Sequence, residues 1–238
     1  MCFFTVETIS IYKQFLNSFK LVIKYFLHLY RVLKKRFKNL YSNSKQLNGF
    51  NNKLTNEGVF KNVKFDIVGD YNEIKIGKNT FIKDTRFYLR GNNHKIVIED
   101  NCYIGMGELW IEDHHGSISI GSNTTIEQAN LAVTEPFSII EIRKNCMLSH
   151  NIEVRTGDSH SIIDLTSGER INKAANVIIH EHVWIGAHAK ILKGVIIGPN
   201  SIIGIASLVT KNIQANSIAA GIPAKVIKTN INWKRERI

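Results

Sequence analysis

From Val177 to Asn212 the apolar and polar positions repeat every six residues, reading VIIHEH, VWIGAH, AKILKG, VIIGPN, SIIGIA and SLVTKN. The third place of each six holds Ile179, Ile185, Ile191, Ile197, Ile203 and Val209. The first holds Val177, Val183, Ala189, Val195, Ser201 and Ser207, all small or β-branched. A period of six matches neither the 3.6 of an amphipathic helix nor the alternation of an isolated strand. It is the period of a chain wound as a triangular prism, with one six per face and two places of each six pointing inward.

Upstream the same pattern runs with a longer repeat. Ile74, Ile96, Ile118 and Ile140 are spaced by 22 residues, an internal repeat of the solenoid kind. Each repeat divides into three sixes and a four-residue excess that projects from one corner. The expected inward residues are Ile76, Ile82 and Tyr88, then Ile98, Ile104 and Trp110, then Ile120, Ile126 and Ala132, then Ile142, Leu148 and Val154. Gly77, Gly105 and Gly121 follow inward residues, where the chain must bend.

Residues 155–176 lack the period. An insertion of that size in a solenoid projects from a corner and commonly carries a binding or catalytic function. Before the prism, residues 1–45 read as a basic amphipathic helix: Ile11, Phe15, Phe19, Val22, Phe26, Tyr30, Leu33 and Phe37 recur every three or four positions. The organisation expected is therefore this helix, a polar linker over 46–61, the prism over 62–228 with its inserted loop, and a charged, poorly ordered tail over 229–238.

Charge changes the picture at one end only. Of the net +11, about +7 falls in residues 1–41, which hold eight basic side chains and one acid. That helix has three readings: packing on the prism or a neighbouring subunit, lying on an anionic membrane surface, or gripping an acidic polymer. No run of about 18 uncharged apolar residues suggests a membrane span, and no cleavable leader is apparent. The expected location is the cytoplasm, with peripheral association at the inner membrane left open. Cys102 and Cys146 fall at the same place two coils apart, ~10 Å by strand spacing, too far for a disulfide. Both are expected as buried thiols. Glycine-rich phosphate loops and zinc-type cysteine pairs are absent, and nucleic acid is not an expected partner.

The six-residue repeats, VWIG at Val183–Gly186 and the closing AAGIPAKVIK at Ala219–Lys228 resemble the hexapeptide-repeat acyltransferases. The loop DSHSIIDLTSGERI is similar to those of bacterial sugar and polysaccharide O-acetyltransferases, the polysialic acid type included. The resemblance implies an all-β, left-handed parallel β-helix with an N-terminal helical extension and a short C-terminal extension. It also implies acetyl-CoA as co-substrate, a saccharide acceptor, a homotrimer and no metal.

The chemistry needs a base to take the proton of an attacking hydroxyl, and imidazole suits that task. His160 lies in the inserted loop, and the resemblance puts the family's catalytic histidine there; a solvated loop histidine is the plain alternative. Trp184 precedes inward Ile185 and so points out of the core. It is a candidate for lining the reacting centre and stabilising the oxyanion, or for trimer packing. By resemblance Asn130 corresponds to an acceptor-binding asparagine, against a ladder or turn role. Asp158 orients His160 or forms a turn. Ala187, Ile205 and Thr210 match positions along the pantetheine arm, and Lys211, Lys225 and Lys228 fall where the phosphate end is bound; the lysines are otherwise surface charges. Ile205–Ala206 departs from the family pattern, which has small residues at both places.

The leading expectation is acetyl transfer from acetyl-CoA to a hydroxyl of a bacterial surface saccharide, by direct attack in a ternary complex. An acceptor among amino sugars, amino acids or xenobiotics is the alternative within that chemistry. A metal-dependent hydratase of the γ-class carbonic anhydrase kind, using His150, His180, His182 or His188, is the alternative outside it. A non-catalytic scaffold for capsule assembly is the third.

Overall fold

The computed structural model describes residues 43–238 and, before them, Ile23, Lys24 and Phe26, which are helical and exposed. The rest of the expected N-terminal helix lies outside the described residues. The chain divides into two compact units, Met1–Ser42 and Asn43–Ile238.

The second unit is a parallel β-solenoid with no α-helix among its residues. Its strands stack in three faces. The first holds β2 (Lys53–Asn56), β5 (Glu73–Ile76), β8 (Lys95–Ile98), β10 (Ser117–Ile120), β12 (Ile139–Ile142), β15 (Val177–Ile179) and β18 (Ile196–Ile197). The second holds β3 (Val59–Lys61), β6 (Phe81–Lys83), β13 (Met147–Leu148), β16 (Trp184–Ile185), β19 (Ile202–Ile203) and β21 (Ile218–Gly221). The third holds β1 (Ser44–Asn48), β4 (Lys64–Val68), β7 (Thr85–Arg90), β14 (Ile152–Arg155), β17 (Lys190–Ile191) and β20 (Leu208–Val209). β9 (Tyr103–Ile111) and β11 (Thr125–Val133) run through a corner and belong to the second and third faces together. β22 (Ala224–Lys228) folds back antiparallel on β21.

The expected repeat is the observed pairing. Ile74, Ile96, Ile118 and Ile140 sit in register on the first face, and Trp184–Ile185 lies on Ile202–Ile203. Ile179, Ile185, Ile191, Ile197, Ile203 and Val209 are all buried, each worth roughly 1.5–3 kcal/mol of burial.

The third face departs from the expected register. Phe87 and Leu89, Leu109 and Ile111, and Leu131 and Val133 point inward, while Tyr88, Trp110 and Ala132 are only half-buried. The corner before this face, at Asp84 (φ 47) and Gly107 (φ 139), uses one residue fewer than a strict six allows. A one-residue slip flips every side chain of a strand. The regular spacing returns at β14, because Thr125 pairs with Met147 but Ala129 pairs with Ile152. Val154 is therefore buried as expected.

Two further expectations are corrected. Residues 46–61 are not a linker: β1, β2 and β3 pair with β4, β5 and β6 and form the first coil. The asparagines there serve its turns, Asn52 Nδ2 donating to Gly69 O at 2.8 Å and Asn43 Oδ1 accepting from Val63 N at 2.8 Å. Nor is the tail loose. Trp233 is buried (6% exposed), and Arg235 donates to Cys146 O at 2.9 Å and Thr125 Oγ1 at 2.9 Å.

Candidate active site

The inserted loop leaves the solenoid where β14 ends. Thr156 anchors it: its buried hydroxyl accepts from Thr134 N at 3.0 Å and donates to Thr134 O at 3.2 Å. Gly157 follows, and a Cβ there would fall 2.4 Å from Thr134 Oγ1, so only glycine lets the chain turn so close to the coil.

Asp158 and Asn172 then close the loop's base. Asn172, 7% exposed, uses its whole amide. Nδ2 donates to Asp158 Oδ2 at 2.9 Å and to His160 O at 2.7 Å. Oδ1 accepts from Ile162 N at 2.7 Å and from Arg170 Nε at 3.1 Å. Lys193 reaches in from the neighbouring coil to Asp158 Oδ2 and to Asn172 O. The Lys193 hydrogen bond, aided by Asn172, holds the Asp158 carboxyl below its usual range against a smaller opposing effect of burial. The hub residue, Asn172, carried no sequence signal of its own.

Beyond the hub a short antiparallel turn projects. Ile171 N donates to Ile162 O at 2.9 Å, and Asp164 Oδ1 accepts from Thr166 N and Ser167 N at 2.9 and 2.8 Å. Arg170 ties it to Glu135, at the same corner one coil earlier. Burial alone would raise the Glu135 carboxyl, but Arg170 and its other partners hold it low. His160 sits at the loop's base with its side chain exposed. Its backbone N–H donates to Asp158 O at 2.8 Å, so its main chain is held from both sides while the imidazole is free to meet solvent.

The other expected residues distribute over the solenoid. Trp184 stands on the second face, 38% exposed, with its ring 6.0 Å from that of Trp233. Asn130 lies exposed on the third face between Glu108 and Glu153 in register. Ala187 and Ile205 stack at the second corner, where Ala206 N donates to Ala187 O at 2.8 Å. A Cβ on Gly186 would meet Ile205 N at 2.7 Å, and the Ile205 side chain is 70% exposed. Thr210, Lys211, Lys225 and Lys228 are exposed around β20 and β22. The loop joins Asp158 and His160 through their main chains, while the Asp158 carboxylate goes to Lys193 and Asn172 and not to the imidazole; no direct contact joins either residue to Trp184 or Asn130.

The histidines outside the loop are separately engaged. His180 Nδ1 lies 2.9 Å from an Arg143 guanidinium nitrogen, His182 stacks on Trp233, and His188 N donates to His150 O at 2.8 Å. Among the described residues no three His, Cys, Asp or Glu side chains converge on one point. Cys102 and Cys146 are free and buried. Burial pushes the Cys146 thiol up to about 12 and raises that of Cys102, so neither is a nucleophile at neutral pH.

Comparison with known proteins agrees with this architecture. Residues 176–204 match the model described as bacterial transferase hexapeptide (six repeats). A solved polySia-specific acetyltransferase superposes with a TM-score of 0.76 at 34% identity, covering 82% of this chain and 90% of that one. A polysialic acid O-acetyltransferase of Escherichia coli O1:K1 / APEC is 38% identical over 96 residues, 40% of this chain and 31% of the relative. One of Neisseria meningitidis is 38% identical over 98 residues, 41% of this chain and 46% of the relative. The aligned stretch spans less than half the length of these two curated relatives. The chain belongs to the hexapeptide-repeat transferases of bacteria. Within them it is similar to the polysialic acid O-acetyltransferases.

Proposed function

We propose that the protein is an acetyl-CoA-dependent O-acetyltransferase acting on a bacterial surface saccharide, with a capsular polymer of the polysialic type as the favoured acceptor. The observation that carries this reading is the 34% identity maintained over 82% of the chain to a polySia-specific acetyltransferase, together with a loop that fixes the main chain of His160 and leaves its imidazole exposed.

In this reading the acceptor hydroxyl loses its proton to His160 as its oxygen attacks the thioester carbonyl. The charge gathering on the carbonyl oxygen is met by a donor at the Trp184 segment. Collapse expels the coenzyme thiolate, which takes the proton, and His160 returns to its neutral form. No side chain is acylated, in keeping with two buried, high-pKa cysteines. Asn130 and Asp158 serve the acceptor. The cofactor arm would lie along Ala187, Ile205 and Thr210, where the backbones of adjacent coils approach closely and Ile205 offers apolar surface. Lys211, Lys225 and Lys228 would meet the phosphates. The assembly proposed is a homotrimer in the cytoplasm, and no described helix is long and apolar enough to cross a membrane.

Incubation with acetyl-CoA, a thiol reagent and a panel of saccharides tests the reading. Acetylated product with a sialic-acid polymer supports it. Absence of both thiol release and acetyl-CoA binding with every saccharide overturns it.

A further inference from the structure

The first corner of the solenoid, between the first and second faces, is built on asparagine. From the second coil onward Asn79, Asn101, Asn123, Asn145, His182, Asn200 and Asn216 occupy it in successive coils, all left-handed with φ between 54 and 61. Asparagine tolerates this conformation through its short polar side chain. His182 is the one departure. Its backbone is no different from its neighbours': His182 N donates to Lys144 O at 3.0 Å, as Asn145 N does to Ser122 O at 2.9 Å. The corner has no need of an imidazole.

The ring serves the tail instead. His182 and Trp233 lie flat on each other, centroids 4.2 Å apart and planes within 3°. Trp233 Nε1 donates to His182 O at 2.8 Å, and His182 Nε2 meets Trp233 O at 3.0 Å. The tail climbs the corner coil by coil. Ile231 N donates to Asn216 O at 3.0 Å, Trp233 engages His182, and Arg235 reaches Cys146 O at 2.9 Å and Asn123 O at 3.3 Å. On the way it passes Trp184, whose ring lies 6.0 Å from that of Trp233 and is tilted 50° against it.

We propose that Trp233 is a positioning residue: clamped by His182, it fixes the side chain of Trp184 and so shapes the acetyl-transfer site. This rests on the reading of Trp184 as a residue lining that site.

The test uses the full chain with His182→Asn, Trp233→Ala and Trp233→Phe. His182→Asn installs the residue that the other six corners carry, so the melting temperature should hold. The tail should nonetheless be released, with tryptic cleavage after Lys234 and Arg235 about tenfold faster and faster oxidation of the Trp184 indole by N-bromosuccinimide. Acetyl transfer should fall about tenfold in kcat/KM in His182→Asn and Trp233→Ala, and Trp233→Phe should retain most of the rate. Release of the tail with Trp184 reactivity and transfer rate unchanged would reduce the strap to a structural contact and overturn the proposal. Unchanged cleavage would overturn the clamp itself. Absence of transfer by the wild type would refute the reading of Trp184; cleavage and indole reactivity would then still decide whether Trp233 fixes it.

Discussion

The side-chain amide of Asn172 donates to the backbone carbonyl of His160 at 2.7 Å, tying the exposed histidine to the segment that closes its loop. The same nitrogen holds the Asp158 carboxylate. One buried amide thus sets the geometry of the loop's base.

Asn172→Ala leaves Asp158, Ile162 N and His160 O without that partner. An unpaired buried polar group costs about 1–3 kcal/mol. The damage is local, because the core lies in the coils. The expected outcome is a kcat/KM for acetyl transfer lowered about 10-fold or more, with the melting transition of the solenoid little changed. Paired kinetics and calorimetry check it.

The shifted register of the third face predicts opposite outcomes for adjacent residues. Phe87 is fully buried, its ring 4.7 Å from that of Phe65; Phe87→Ala should cost about 3–5 kcal/mol. Tyr88 lies on the outer surface, with Arg90 3.9 Å and Arg86 4.5 Å from its ring; Tyr88→Ala should cost about 1 kcal/mol. Denaturant melts of the two variants decide which residue points inward.

The Asp158 carboxyl is held low by Lys193 and Asn172. A lowered folded pKa means stabilisation present above the unfolded value of about 3.9 and lost as pH falls through the folded one. Protection of the Ile162 and Ile171 amides against hydrogen exchange, which report the bonds to Asn172 Oδ1 and Ile162 O, should therefore hold from about pH 8 to 5 and be lost only below about pH 4. Loosening of the loop near pH 6 would contradict the Lys193–Asp158 anchor.

How far the sequence could be read follows from what each segment repeats. Val177 to Asn212 has no excess residues, so its inward Ile and Val were legible one by one. On the third face the runs Phe87–Tyr88–Leu89, Leu109–Trp110–Ile111 and Leu131–Ala132–Val133 are apolar at all three places. Such runs fit either register, and the shortened corner at Asp84 and Gly107 left no mark. The first coil hid because an end coil exposes its outer edge and uses asparagine for its turns, which resembles linker composition. The tail hid because a single tryptophan among charges has no period. The exposed position of His160 was legible from the loop's place; its role as the base is a proposal that rests on the resemblance. Asn172 and Lys193 were not, since each is one polar residue meeting another across the fold.

The role of His160 is tested most directly by the initial rate of acetyl transfer from acetyl-CoA to a sialic-acid polymer, wild type against His160→Ala. Loss of a general base predicts a fall in kcat of about 10²–10⁴-fold, with acetyl-CoA binding and the melting temperature unchanged, because the imidazole supports no packing. Wild-type turnover in the variant would contradict the account.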